Sequence, residues 1–487
     1  MSQASPCTEA APTGISGLND ILMGGFPRCY MYLLEGTPGS GKTTMALQFL
    51  LDGAKRGEKC VYITLSESER ELRLTAESHG WSLDGITILE ISPLEADPER
   101  RQGLIHPSEI ELDQTVHVIV SKLEELQAER LVIDALTELR LLAQDSLSYR
   151  RQVLSLKAFF TRSSITVLAL DDLTDAGQGL QLHSIAHGVV RLEQRKMEYG
   201  VVRRRLSVAK LRSVNYRSGY HDYVILTGGI RVFPSLVASE HEHVFHPDAV
   251  SSELPQLDAM LGGGLRRGTS GLIIGPSGVG KSTLALQYAM ATTRRKEKVA
   301  IFAFDESFRT VEERATALGM EVDSARASGC LVWQRISPTM ISPGEFVERV
   351  RHEVDAGAKL IVIDSLNSYM GSMPEEQALT LHMHELLAYL GNSGVVTILI
   401  MAQHGLIGDT QAPIDLSFLA DTIILLRYFE AEGSVNKAIS VMKSRSGNHE
   451  SSICEYELIE GEGVKVGPPT SAFQGVLTGS PTLVHPA

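Results

Sequence analysis

Short, continuous apolar runs recur along this chain and alternate with stretches in which apolar residues return at helical spacing. Met31–Glu35 and Gly271–Ile274 have the length and continuity of strands buried on both faces. Each is followed by a glycine-rich segment and then by a helix-forming run, Thr44-Met-Ala-Leu-Gln-Phe-Leu in one place and Thr283-Leu-Ala-Leu-Gln-Tyr-Ala in the other. In the second half the pattern predicts strands at Val299–Phe304, Leu360–Ile363, Val395–Ile400 and Thr422–Leu426. Helices are expected near Glu312–Leu318, Pro343–Asp355 and Ala378–Gly391. Strands that alternate with amphipathic helices make an α/β fold, because parallel neighbours need a crossover long enough to hold a helix. Ligands of such sheets collect outside the carboxyl ends of the strands, so the chemistry is expected there.

The pattern occurs twice. Gly17-Leu18…Gly24-Gly25 corresponds to Gln256-Leu257…Gly263-Gly264, and Lys59-Cys-Val-Tyr-Ile-Thr corresponds to Lys298-Val-Ala-Ile-Phe-Ala. In a chain of 487 residues each copy, about 240 residues, is large enough to bury its own α/β core. The reading is a disordered N-terminus (1–12), a first domain (13–234), a linker (235–253), a second domain (254–470) and a C-terminal tail (471–487). The linker gathers Ser, Glu, His and Pro without hydrophobic periodicity. Its His241, His243 and His246 lack accompanying Cys or carboxylate spacing and read as solvated rather than metal-binding.

Composition narrows the class. The formal net charge of −14 argues against an electrostatically driven nucleic-acid binder, which needs a basic surface to displace counterions. The five cysteines show no C-x-x-C spacing and fit a reducing, cytoplasmic compartment better than a disulfide framework. No apolar run reaches the length of a membrane span, and no leader pattern opens the chain.

The glycine-rich segments carry the chemistry. Gly36-Thr37-Pro38-Gly39-Ser40-Gly41-Lys42-Thr43 and Gly275-Pro276-Ser277-Gly278-Val279-Gly280-Lys281-Ser282 both match G-x-x-x-x-G-K-[ST], the phosphate-binding loop. Its glycines let backbone N–H groups turn inward around phosphate oxygens, its lysine reaches the β- and γ-phosphates, and its hydroxyl binds Mg²⁺. ATP and Mg²⁺ are therefore the expected cofactors. Arg130-Leu-Val-Ile-Asp134 and Lys359-Leu-Ile-Val-Ile-Asp364 are apolar strands ending in aspartate, placing Asp134 and Asp364 with Thr43 and Ser282 around the metal. The strand after each loop helix ends in acids, Ser66-Glu67 and Asp305-Glu306. Glu67, Asp305 and Glu306 are candidate general bases, and acids capping the next helix, Glu69–His79 or Arg309–Leu318, would fit the same positions.

Together these motifs resemble the KaiC-like ATPases, a branch of the RecA superfamily with two fused ATPase domains. The resemblance spans nearly the whole chain and includes Lys210-Leu-Arg212, Lys443-Ser-Arg445, Asp421-Thr-Ile-Ile-Leu-Leu-Arg-Tyr and Gly479-Ser-Pro-Thr482. It implies two tandem RecA-like P-loop domains, each a mainly parallel twisted sheet flanked by helices. It also implies a homo-oligomeric ring, a hexamer, with ATP between subunits. Lys210, Arg212, Lys443 and Arg445 would then act across the interface on a neighbour's ATP, although the second pair also fits a solvated strand face.

The departures matter as much. Clock members of the family carry two glutamates where this chain has Ser66-Glu67, which puts first-domain hydrolysis in question, whereas Asp305-Glu306 keeps both carboxylates. The family's phosphorylated Ser-Thr pair falls on Ser417 and Phe418, so Ser417 is the phosphoacceptor of any serine/threonine autokinase activity, or else an ordinary loop or cap hydroxyl. The sequence stops soon after Thr482, without the tail offered to an activating partner. A regulatory ATPase with a signalling partner is expected rather than a full clock role. Two other classes use the same core: a RecA- or RadA-like recombinase, suggested by the basic run from Arg203 to Arg217, and an ATP-assembled interaction platform.

Overall fold

A computed structural model describes residues 9–91, 107–143, 145–173, 180–197, 200–371, 376–403, 418–431, 433–445, 447, 449–469, 473–474 and 482–483. The chain divides into two compact units, Met1–Ser235 and Leu236–Ala487. The segment 236–253 groups with the second unit. There Asn392 donates to the Ala238 carbonyl (2.9 Å), and the His241 ring packs edge-on against Tyr389.

The first unit is built on nine strands: β1 (Met31–Gly36), β2 (Cys60–Thr64), β3 (Ile86–Glu90), β4 (Arg130–Asp134), β5 (Thr166–Asp172), β6 (Gly188–Arg195), β7 (Arg203–Leu211), β8 (Tyr220–Leu226) and β9 (Gly229–Phe233). Their order across the sheet is β3-β2-β4-β5-β1-β6-β7-β8-β9. Pairings from β3 through β6 are parallel, and those from β6 to β9 are antiparallel.

The second unit repeats this with β10 (Ser270–Gly275), β11 (Lys298–Ala303), β12 (Leu331–Arg335), β13 (Ala358–Asp364), β14 (Val396–Ala402), β15 (Thr422–Ala431), β16 (Ser434–Ser444), β17 (Ile453–Ile459) and β18 (Gly463–Pro469). The order is β12-β11-β13-β14-β10-β15-β16-β17-β18, the same topology strand for strand. The three antiparallel strands per sheet escape the sequence pattern because their residues are buried only in part, as in Arg203–Leu211.

Strand periodicity sorts each sheet's apolar residues onto two covered faces. Met31 and Leu33 join one buried cluster with Val61 and Ile63, while Tyr32 and Leu34 join the opposite one with Cys60 and Tyr62. Leu272 and Ile273 divide in the same way in the second unit. Full burial of one such side chain contributes about 1.5–3 kcal/mol, so both faces of each sheet hold the strand ends in place.

The helices after the loops run Lys42–Lys55 and Lys281–Arg294, and the other expected helices form at Phe308–Ala317, Pro343–Asp355 and Glu376–Asn392. Among the described residues no helix is long and apolar enough to cross a membrane. Cys60, Cys330 and Cys454 are free. Cys29 is disulfide-bonded, so the expectation of wholly reduced cysteines does not hold at that position.

Candidate functional site

Each loop joins the end of a central strand, β1 or β10, to a helix N-terminus. The residue before the helix must be left-handed, and Gly41 (φ 98°) and Gly280 (φ 108°) supply that conformation. A Cβ there would also collide: at Gly41 with Ile225 Cδ1 at 2.7 Å, at Gly280 with the Tyr456 hydroxyl at 2.7 Å. Both obstacles come from the antiparallel strands. Those strands also hold the loops directly, for Tyr223 OH donates to the Ser40 carbonyl (2.6 Å) and Tyr456 OH to the Gly280 carbonyl (3.0 Å).

The sequence-selected residues converge at the carboxyl ends of the strands. In the first unit Thr43 Oγ1 donates to Asp134 Oδ2 (3.3 Å), and the buried Tyr62 hydroxyl donates to the same oxygen. Burial pushes the Asp134 carboxyl above the ordinary aspartate range, with the Tyr62 and Thr43 hydrogen bonds and Lys42 pulling the other way. Glu67, two residues beyond Leu65 at the neighbouring strand end, is raised chiefly by desolvation and further by Asp134 and Glu71. The Glu67 backbone is fixed through Thr64, whose hydroxyl donates to the Glu67 carbonyl (2.7 Å).

In the second unit the Asp364 carboxyl is hydrogen-bonded by Ser282 and pushed up to about 6, first by burial and then by the charges of Glu306 and Asp305. Lys281 Nζ donates to the Pro276 carbonyl (2.7 Å), and burial lowers its basicity. Asp305 accepts hydrogen bonds from Ser365 Oγ (2.7 Å) and from Ser368 Oγ. Glu306 is gripped at both oxygens by Arg314 (2.8 and 2.7 Å). The helix-capping alternative for the acids is excluded by geometry: the caps are Ser68, which accepts from Glu71 N, and Ser307, which accepts from Thr310 N. Each Walker-type aspartate is followed by a cis peptide bond.

The Lys-x-Arg pairs lie on the antiparallel side. Lys210 Nζ donates to the Ala186 carbonyl and Lys443 Nζ to the Ala420 carbonyl, both at 2.8 Å, at corresponding positions of the two sheets. Arg212 reaches the Ser184 carbonyl (3.3 Å), and Arg445, 58 % exposed, stands 3.9 Å from Asp421. Ser417 and residues 475–481 lie outside the described residues, while Phe418 is exposed.

Sequence reasoning missed Tyr62, Tyr223, Tyr456 and Arg314. The partners of the tyrosines are set by strand register rather than by local spacing, whereas Arg314 reaches back to Glu306 from the helix Phe308–Ala317 that follows it.

These donors fit a nucleotide and Mg²⁺. Ser40 Oγ is buried without a partner inside the first loop. Among the described residues no cage of three His, Cys, Asp or Glu side chains forms. Mg²⁺ is held through one or two carboxylates and the nucleotide's own phosphates. Thr43 with Asp134, and Ser282 with Asp364, would supply the protein's share. A bound ion would offset phosphate charge, while the strand-end carboxylates stand where a water or hydroxyl proton could be accepted.

Comparison with known proteins decides the family. A family model described as ATPase: KaiC matches residues 11–237 and again 250–471. The chain belongs to the KaiC ATPase family. It is 27 % identical to the circadian clock oscillator protein KaiC of Parathermosynechococcus lividus, over 97 % of this chain and 88 % of that one. It is 26 % identical to the protein of that name from Prochlorococcus marinus, over 97 % and 95 %. To the circadian clock protein KaiC2 of Synechocystis sp. it is 26 % identical, over 96 % and 83 %. The family model matches twice, and each matched stretch holds one phosphate loop.

Proposed function

We propose that this KaiC-family ATPase binds Mg·ATP at both loops, assembles as a homo-oligomeric ring, and hydrolyses ATP chiefly in its second domain. The observation that carries this reading is the strand-end cluster of Asp364, Asp305 and Glu306 beside Lys281 and Ser282. There the two acids lie close enough to raise Asp364 by their charge. Asp305 is held by hydroxyls that can exchange partners, so it is the first candidate base. Glu306, clamped by Arg314, would set the position of the strand end. In the first domain Glu67 is the one acid at the positions that correspond to Asp305 and Glu306, near enough to feel the charge of Asp134, and the reading there is nucleotide binding in support of assembly.

Changing Asp305→Asn together with Glu306→Gln should remove most turnover, about a hundredfold or more for loss of a general base. Wild-type turnover in that double variant, with turnover abolished by Glu67→Gln, would reverse the assignment of the domains. A hexameric mass with ATP, reduced more by Lys42→Ala than by Lys281→Ala, tests the ring, and a monomer at saturating ATP sinks it. Arg212→Ala and Arg445→Ala should spare nucleotide binding while lowering turnover if these cations act on a neighbouring subunit. Autokinase activity at Ser417 rests on the family resemblance. Labelling with γ-labelled ATP and peptide mapping tests it, and label elsewhere removes it.

A further inference from the structure

In the first unit the phosphate-loop lysine already has an anionic partner. Lys42 Nζ lies 2.6 Å from Asp172 Oδ1 while also donating to the Gly36 and Thr37 carbonyls (2.9 and 3.3 Å). The pairing follows from register. Asp172 ends β5, and its partner across the parallel ladder is Gly36, the first residue of the loop. Its backbone is fixed from the other side by Thr137 Oγ1, which accepts from Asp172 N (3.1 Å). The carboxylate adds to an acidic surround, since its charge is felt at both Asp134 and Asp171.

The second unit has the same architecture without the acid. Gly275 pairs with Ala402, whose backbone is held by Asn367 as that of Asp172 is by Thr137. One molecule thus contains two phosphate loops of which only the first has a carboxylate at this ladder position.

We propose that Asp172 is a specificity-determining residue of the first nucleotide site, setting triphosphate against diphosphate. A phosphate must take Lys42 from Asp172, and the displaced carboxylate stays beside the loop because the ladder holds its backbone. The lysine of this motif serves the β- and γ-phosphates, so the terminal phosphate brings the most charge closest to Asp172. Repulsion grows as separation shrinks and is strengthened away from bulk water. A diphosphate carries less charge into that space. The first site therefore favours diphosphate relative to the second, which makes it the slower site to reload. This inference rests on reading both loops as nucleotide sites.

The test uses the full-length chain, Mg²⁺, ADP and a nonhydrolysable ATP analogue, with binding followed by calorimetry. In a Lys281→Ala background, Asp172→Asn should tighten the triphosphate analogue about tenfold or more and ADP by about threefold or less. In a Lys42→Ala background, Ala402→Asp should weaken the analogue about tenfold with a much smaller change for ADP. Equal effects on the two nucleotides, or weaker binding of both on Asp172→Asn, would overturn the proposal. If Asp172→Asn does not fold, the Ala402→Asp result decides alone, and absence of discrimination there overturns it. Discrimination failing while both nucleotides bind counts against this inference only. Failure of the unmutated chain to bind either nucleotide would remove the functional reading and the inference together.

Discussion

Asp134 and Asp364 end corresponding strands yet sit in different electrostatic settings. Asp134 is compensated by two hydroxyls and Lys42 against burial and the charge of Asp172, whereas Asp364 has one hydroxyl, Ser282, and Lys281 against burial and two neighbouring acids that help to lift it to about 6. In protein freed of nucleotide and Mg²⁺, native Asp364 keeps its proton up to about pH 6, while the unfolded chain releases it near the ordinary value of about 4. Between those values the native state binds more protons, so its stability falls as pH rises through the window and levels off above it. Asp364→Asn should flatten that slope and raise stability near neutral pH by about 1–3 kcal/mol, as denaturant midpoints across the window would show. Arg130 makes the opposite case. It is wholly buried, paired with Glu58 and Asp52, and donates to the Pro12 and Phe49 carbonyls. Arg130→Met would leave Glu58 with Arg28 alone and take the donor from the Pro12 and Phe49 carbonyls, and is expected to cost about 3–5 kcal/mol in unfolding free energy by urea titration.

At the scale of elements, the antiparallel strands carry supports for the loops. Tyr223→Phe and Tyr456→Phe each remove a hydrogen bond to a loop carbonyl and should lower stability by about 1–2 kcal/mol. Each should also weaken nucleotide binding at its own loop, measurable by titration. This support shows what a sequence makes legible. The loops, Asp134 and Asp364 could be read because the pattern that identifies them is contiguous or ends a recognisable apolar run. Tyr223 could not, since its partner Ser40 lies 183 residues away and only the β6–β9 register brings them together. Asp172 is likewise illegible in the sequence, since it meets Lys42 only because β5 lies beside β1. Thr422–Leu426 was read as a short strand because its apolar run ends there, but hydrogen bonding to β16 carries it to Ala431.

On the scale of the whole chain, duplication has kept the scaffold and let the sites diverge. The two sheets share one strand order and one set of parallel and antiparallel pairings, yet the first site holds a lysine–aspartate pair and the second a glutamate–arginine clamp. Each sheet has apolar clusters on both faces, so 9–235 and 236–483 expressed separately should each unfold cooperatively. Circular dichroism and thermal melts would check this, and a half that remains disordered would count against it.

The tyrosine supports have one more consequence. Tyr223 sits on β8, hydrogen-bonded to the β7 strand that bears Lys210, and Tyr456 sits on β17 beside the β16 strand that bears Lys443. The phosphate cradle and the outlying cations of each unit are thus fastened to one ribbon, like a latch and a handle on the same bar. A displacement of either cradle would therefore be felt first at the Ser40 or Gly280 carbonyl and, through the tyrosine that bonds it, along that ribbon.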